Sequence, residues 1–189
     1  DVVNGSFEKG SLEGWTKEGN IGDVSWETVY WNEQYSYEKE GSYFFSGWRG
    51  NESDTGSLLS SPFLVNETAK LTFRLGGMKN SGVTYLSLIE EGTGNEVARY
   101  GNPAFHDTLR FSYFAPEFGK HNILSQDGVY MANMKPYVAD LTPFKGKTLR
   151  IRLVDNASSD WGLFFADDFH CAYASEEEVP SYEPAVNLL

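Results

Sequence analysis

Apolar and polar residues alternate over short stretches and then break at turn-forming residues. Lys70-Leu-Thr-Phe-Arg-Leu75 and Thr148-Leu-Arg-Ile-Arg-Leu-Val154 alternate cleanly, as antiparallel strands with one buried and one solvated face do. The pattern predicts strands over 23–29, 42–48, 56–64, 70–75, 83–90, 96–100, 135–140, 148–154 and 163–173. Gly-Asn, Gly-Thr-Gly-Asn and Asn-Ala-Ser-Ser-Asp sequences separate several of them. Helical periodicity is weak throughout. The prediction is an all-β fold, an antiparallel β-sandwich. Residues 1–174 are read as one domain of this kind. Residues 175–189, with the acidic and proline-bearing run Glu176-Glu-Glu-Val-Pro-Ser-Tyr-Glu-Pro184, are read as a linker-like tail between domains. Between strands, residues 107–131 carry scattered aromatics, Pro116 and Gly119 without a sustained period. They are too aromatic to stay solvated and are expected to form a long structured loop.

Composition sharpens this picture. Aromatic residues make up 15% of the 189 residues and glycine occurs 19 times, a pairing that favours short strands and many turns. The formal charge of −12 opposes phosphate backbones and anionic membranes, so neither nucleic acid nor membrane is expected as a partner, although solubility accounts for most of such a balance. Cys171 is the single cysteine and sits in the apolar run Phe169-His-Cys-Ala-Tyr173. It reads as a buried, inert thiol, and no intrachain disulfide is possible. The chain starts abruptly on a strand-like segment, as if excised from a longer protein.

Candidate chemistry lies at the chain ends and in three loops. The opening Asn4-Gly-Ser-Phe-Glu8 places one carboxylate in an apolar frame with turn residues, a setting suited to a hard cation or equally to a solvated strand end. Near the other end, Phe164-Phe-Ala-Asp-Asp-Phe169 offers two more carboxylates. Strict alternation would send Asp167 and Asp168 to opposite faces, which argues against a close catalytic pair. The loops combine Trp48, Arg49 and Glu52; Lys79 and Asn80, with Arg99 and Asn102; and Asp155, Asn156, Asp160 and Trp161. Forked polar groups beside an aromatic ring bind sugars through paired hydroxyls and a C–H face. Singly, each of these residues has an ordinary reading as a turn or core residue. His106, His121 and His170 are scattered without metal-ligand spacing, and no nucleophile elbow or phosphate loop is present.

The two end motifs resemble those of galactose-binding-domain-like carbohydrate-binding modules. Ser46-Gly-Trp48, Gly56-Ser-Leu-Leu-Ser-Ser-Pro-Phe63, Arg74-Leu-Gly-Gly77, Ala98-Arg-Tyr-Gly-Asn102 and Val154-Asp-Asn-Ala-Ser-Ser-Asp-Trp-Gly162 resemble segments of non-catalytic modules attached to bacterial glycoside hydrolase family 32 enzymes, which act on fructans. The resemblance covers roughly residues 2–173, a span suited to one domain. It implies a jelly-roll sandwich, a secreted or cell-surface setting, and a non-catalytic role of holding a parent catalytic domain on β-fructan such as inulin or levan. It implies sugar contacts from the three loops above. It also implies a structural calcium held by the Glu8 and Asp168 carboxylates and by backbone oxygens at Ser6, Lys39 and Gly41, with Asp167 as the alternative acid. The 107–131 stretch is longer than expected for such modules. Two other readings stand beside this one: a structural interaction domain that binds no sugar, and a small glycoside hydrolase or lyase.

Overall fold

The computed structural model describes residues 1–30, 35–48, 53–105, 129–159 and 162–189. The predicted loop at 107–131 therefore lies almost wholly outside the described residues. Fourteen strands are found among the described residues: β1 (Trp15–Gly19), β2 (Asp23–Ser25), β3 (Val29–Tyr30), β4 (Tyr35–Ser36), β5 (Phe44–Ser46), β6 (Gly56–Ser60), β7 (Phe63–Leu64), β8 (Lys70–Gly77), β9 (Thr84–Glu90), β10 (Glu96–Tyr100), β11 (Lys135–Asp140), β12 (Thr148–Asp155), β13 (Phe164–His170) and β14 (Glu183–Pro184). The first sheet runs β1-β6-β12-β9-β10, with β7 also on β12, and the second runs β14-β11-β8-β13-β5-β2. The pairings are antiparallel except that of β14 with β11. This is the predicted antiparallel β-sandwich.

Alternation builds the core between the sheets. Leu86 and Leu88 of β9 and Ile151 and Leu153 of β12 meet Leu71, Phe73 and Leu75 of β8 and Phe164 and Ala166 of β13. Burying each of the larger side chains stabilises the fold by roughly 1.5–3 kcal/mol. The opening segment closes one end of this core: Phe7 stacks on Trp15 at 5.1 Å between ring centres, and Trp15 also meets Phe169 at 5.7 Å.

The two sheets differ on their outer faces, and that difference positions the candidate site. A second apolar cluster, with Tyr30, Tyr37, Phe44, Phe165 and Met134, covers the outer side of the second sheet. The sequence pattern of β8 implies a solvated outer face, yet Thr72 there is buried beneath Tyr173, whose hydroxyl it meets. β12 does keep its solvated side, with Arg152 exposed between buried Ile151 and Leu153. The tail also departs from expectation. β14 pairs in parallel with Tyr137 and Val138, so part of the 175–189 segment lies on the sandwich.

Strand β13 carries one further departure from simple alternation. Phe164 and Ala166 face the core and Phe165 the outer cluster, but Phe169 is again in the core. The register against β8 shifts between Asp167 and His170, and Asp168 takes a φ of 57°. Continued alternation would have driven Asp168 into the apolar core; the bulge avoids that burial. The expected separation of Asp167 and Asp168 to opposite faces is thus interrupted at Asp168.

Candidate functional site

The outer face of the first sheet holds an open cavity of about 630 Å³. Its floor comes from the outward positions of four strands, including Glu18, Ser57, Tyr85, Ser87 and Arg152, and Asn156 stands at the end of β12. At the β1–β6 rim, Gly19 and Gly56 face each other with φ of 77° and 151°. A Cβ on either would overlap the opposite backbone, so these two strands can close only through glycine.

Charges in this cavity are arranged unequally. Arg99 donates from Nε and Nη2 to Glu96 at 3.1 and 2.9 Å, and its guanidinium lies 3.7 Å over the centre of the Tyr85 ring. Ser87 donates to the same carboxylate. Burial pushes Glu96 toward protonation, but the hydrogen bonds from Arg99 and Ser87 outweigh it and, with the nearby charges of Arg99 and Arg152, hold the carboxyl below its usual range. Tyr85 thus has one ring face occupied. Arg152, on β12 beside Ser87, is exposed, and its guanidinium, whose charge reaches Glu96, makes no hydrogen bond or close ion pair among the described residues. A guanidinium with open donors in a polar concavity can fork onto adjacent hydroxyls.

The sequence-predicted sugar residues scatter. Arg99 and Asn156 line this cavity. Lys79 and Asn80 line a separate small one of about 180 Å³ with Ala157, Ser158 and Ser159. Trp48 packs edge-on against Tyr30 at 6.4 Å, in the cluster behind the second sheet. Arg49, Glu52, Asp160 and Trp161 lie outside the described residues.

Asn102 and Asp155 require correction as ligand contacts. Both are buried. Asn102 donates to the Gly77 carbonyl at 2.9 Å and accepts from the Tyr137 hydroxyl, which occupies both ends of its amide. Asp155 Oδ1 accepts the Ala157 amide at 2.9 Å, fixing the loop that follows β12, and lies 3.5 Å from the Thr84 hydroxyl, which donates to the Gly162 carbonyl at 2.6 Å. Burial pushes its carboxyl up to about 7. Turn-forming Asn and Asp sequences read alike whether they bind a ligand or their own backbone. Glu18, Tyr85, Ser87, Glu96 and Arg152 are absent from the sequence-derived site. The signal for Tyr85, Ser87 and Arg152 lies in the outward positions of strands whose inward positions are leucine and isoleucine.

The chain ends do meet. The Phe169 amide donates to the Gly5 carbonyl at 2.9 Å, and Asp1 Oδ1 accepts the Cys171 amide at 2.9 Å. Glu8 reaches the turn before β5, its two carboxylate oxygens accepting the amides of Ser42 and Tyr43 at 2.7 and 2.8 Å. Asp167, fully buried, accepts the Glu40 amide on the same turn at 2.7 Å. Burial pushes Asp167 up to about 8, against the amides of Glu40 and Asp168, and the charges of Asp168 and Glu8 add to the rise. Asp168 is also raised, by burial and then by Glu40, with Arg74 and His170 opposing.

This oxygen-rich, electrostatically strained set fits a hard cation in its chemistry. Among the described residues, however, no three Asp, Glu, His or Cys side chains form a metal-holding group on their own. Backbone carbonyls must complete any calcium shell. Those of Ser6, Lys39 and Gly41 accept no hydrogen bond among the described residues. The Lys39 ammonium turns instead to the Trp26 and Ser42 carbonyls.

No protein-family model matches the chain, and no characterised protein matches it in sequence. Solved structures do resemble it. The enzymatically active domain of tailspike protein 4 of bacteriophage CBA120 is 15% identical with a TM-score of 0.44; the match covers 88% of this chain, which spans only 20% of that one. The K3 cleaved adhesin domain of Lys-gingipain from Porphyromonas gingivalis W83 is 14% identical with a TM-score of 0.45, covering 87% of this chain and 94% of that one. TmCBM27, a carbohydrate-binding module with specific mannan recognition, is 11% identical with a TM-score of 0.34, covering 89% and 92%. At these identities and TM-scores the likenesses say nothing of what this chain binds.

Proposed function

We propose that this chain is a non-catalytic carbohydrate-binding module that takes its sugar on the outer face of the first sheet. The observation that carries the reading is Arg152: an exposed guanidinium, free of hydrogen bonds and ion pairs among the described residues, on the floor of a polar cavity in which Arg99 and Glu96 are already paired. Hydroxyl groups of Ser57 and Ser87 and the Asn156 amide stand in the same cavity, so a polyol meets both donors and acceptors. The segments resembling family 32-associated modules favour β-fructan, inulin or levan, as the ligand, with a parent glycoside hydrolase in cis and a secreted setting. Binding at one such open site is weak and gains strength on a polymer. A structural calcium, held by Glu8 with Asp168 or Asp167 and carbonyls of Ser6, Lys39 and Gly41, belongs to the same proposal. Its role is to neutralise the carboxylates that join the chain ends.

Calorimetric titration with inulin and levan oligosaccharides, and cello-oligosaccharides as control, tests this. The expected result is heat with fructans alone and a loss of about tenfold or more in affinity for Arg152→Ala, since charge-assisted hydrogen bonds are the strong ones. Fructan binding unaffected by Arg152→Ala overturns the site. Silence with every sugar overturns the function and favours a structural interaction domain. Release of product from a fructan overturns the non-catalytic reading.

A further inference from the structure

The tail reaches the sugar-binding face. Strand β10 ends the first sheet among the described residues, and both backbone groups of its Arg99 are taken by the tail. The Arg99 amide donates to Asn187 Oδ1 at 3.0 Å, and the Leu188 amide donates to the Arg99 carbonyl at 2.9 Å. Asn187 Oδ1 also receives the Leu189 amide at 3.1 Å. A few residues earlier the tail lies on the other sheet, where β14 pairs with β11 and the Ala185 amide donates to the Val138 carbonyl at 2.8 Å. The tail therefore straps the edge of the second sheet to the edge of the first.

Its own packing is thin. Cavities of about 620 and 350 Å³ flank it, both lined by Tyr182 and Pro184. Val186, Leu188 and Leu189 are more than half exposed. What holds it is backbone pairing, the Ala185 side chain against the core and the Asn187 side-chain amide.

From this geometry we infer that Asn187 is a positioning residue for the sugar-binding face, acting through Arg99; the inference rests on the proposed function of that face. An edge strand presents unpaired amides and carbonyls and opens more readily than a central one. Asn187 and Leu188 occupy those groups at the very residue whose guanidinium caps Tyr85 and pairs with Glu96. With the strap in place the Arg99 backbone is fixed, and the Glu96–Arg99 wall of the cavity is fixed with it. Without Asn187 Oδ1 the edge frays and the wall loosens, while the core behind it is untouched.

The test compares Asn187→Ala and Asn187→Asp with the unmodified 189-residue chain. Aspartate keeps the acceptor oxygen, and alanine removes it. Amide hydrogen exchange by NMR at Arg99 is expected to speed up about tenfold or more in Asn187→Ala, with Leu88 and Leu153 unchanged. Affinity for an inulin oligosaccharide is expected to fall several-fold, and Asn187→Asp to restore both. Unchanged exchange at Arg99 overturns the inference, as does faster exchange with undiminished affinity. If the unmodified chain takes up no inulin or levan oligosaccharide, it is the reading of the face that fails. A chain that binds, and whose alanine variant binds equally well, sinks only the role of Asn187.

Discussion

The Glu8 carboxylate rests directly on Gly41, where a Cβ would overlap its Oε1. Gly41 also has a φ of 68°, so any other residue there is strained twice, by backbone conformation and by collision. Displacing Glu8 would leave the Ser42 and Tyr43 amides without their acceptors. Gly41→Ala is accordingly expected to destabilise the fold by about 2–4 kcal/mol, the range for a forced backbone combined with lost hydrogen bonds. Urea denaturation monitored by tryptophan fluorescence measures it; a change within a few tenths of a kcal/mol, the size of an ordinary surface substitution, contradicts the geometry.

The proposed calcium site would be linked to pH through Asp167. Its folded-state pKa, about 8, lies above the usual unfolded value for aspartate of roughly 3.9. For a raised pKa the associated stability is fully present below the unfolded value and is lost as pH rises through the folded one. With metal chelated, the melting temperature is expected to fall between pH 5 and pH 8. A calcium ion at the proposed site would bind the ionised carboxylates, so adding calcium is expected to raise the melting temperature more at pH 8 than at pH 5. Identical melting curves with calcium and with chelator at pH 8 would falsify the calcium proposal.

How much of this is legible in sequence depends on which neighbours decide the matter. Alternation and flanking turns bound strands 96–100 and 135–140 to the residue, because both signals are local. β1 and β14 escape the pattern: Trp15-Thr-Lys-Glu-Gly19 lacks a clean apolar alternation, and β14 exists only because β11 offers it an edge. The meeting of the two chain ends is legible through resemblance. The bulge at Asp168 is not, since it answers to the core on the opposite side of the strand. Sequence points to Asx-rich loops for the sugar site, whereas the cavity is floored by strand positions that only pairing brings together: Glu18, Ser57, Arg152 and Tyr85 come from four different strands.

Asp155 offers a cleaner pH test than Asp167, because a backbone amide bonds only one of its oxygens whereas amides bond both oxygens of Asp167. Oδ1 takes the Ala157 amide, so Asp155→Asn keeps that bond through its amide oxygen while losing the charge. Burial raises the folded-state pKa to about 7, and stability contributed by the neutral form is lost as pH climbs toward and through that value. Asp155→Asn is therefore expected to match the unmodified chain near pH 4 and to exceed it by about 1 kcal/mol at pH 8, a value discounted from the full linkage for relaxation and water penetration. Asp155→Ala, which abandons the Ala157 amide, is expected to cost about 1–3 kcal/mol at either pH. Denaturation midpoints across pH 4–8 decide it. A parallel pair of curves for Asp155→Asn and the unmodified chain would show that Asp155 does not titrate as its burial implies.

Asn102 makes a different prediction, because removing it strands two buried partners at once. Tyr137 donates its hydroxyl to Asn102 Oδ1, and Asn102 in turn donates to the Gly77 carbonyl, which links β11 to the end of β8. Burial pushes the Tyr137 hydroxyl up to about 12, so it remains a donor throughout the physiological range. Leaving a buried polar group unsatisfied costs about 1–3 kcal/mol each, and Asn102→Ala is expected to cost about 2–4 kcal/mol. Tyr137→Phe removes one of the two stranded groups in advance. The double variant is then expected to be less destabilised than the sum of the singles, by about 1–2 kcal/mol of coupling. The same substitutions leave sugar affinity unchanged if Asn102 is structural. Additive stabilities, or a large loss of fructan binding at full folding in Asn102→Ala, would return this residue to the ligand.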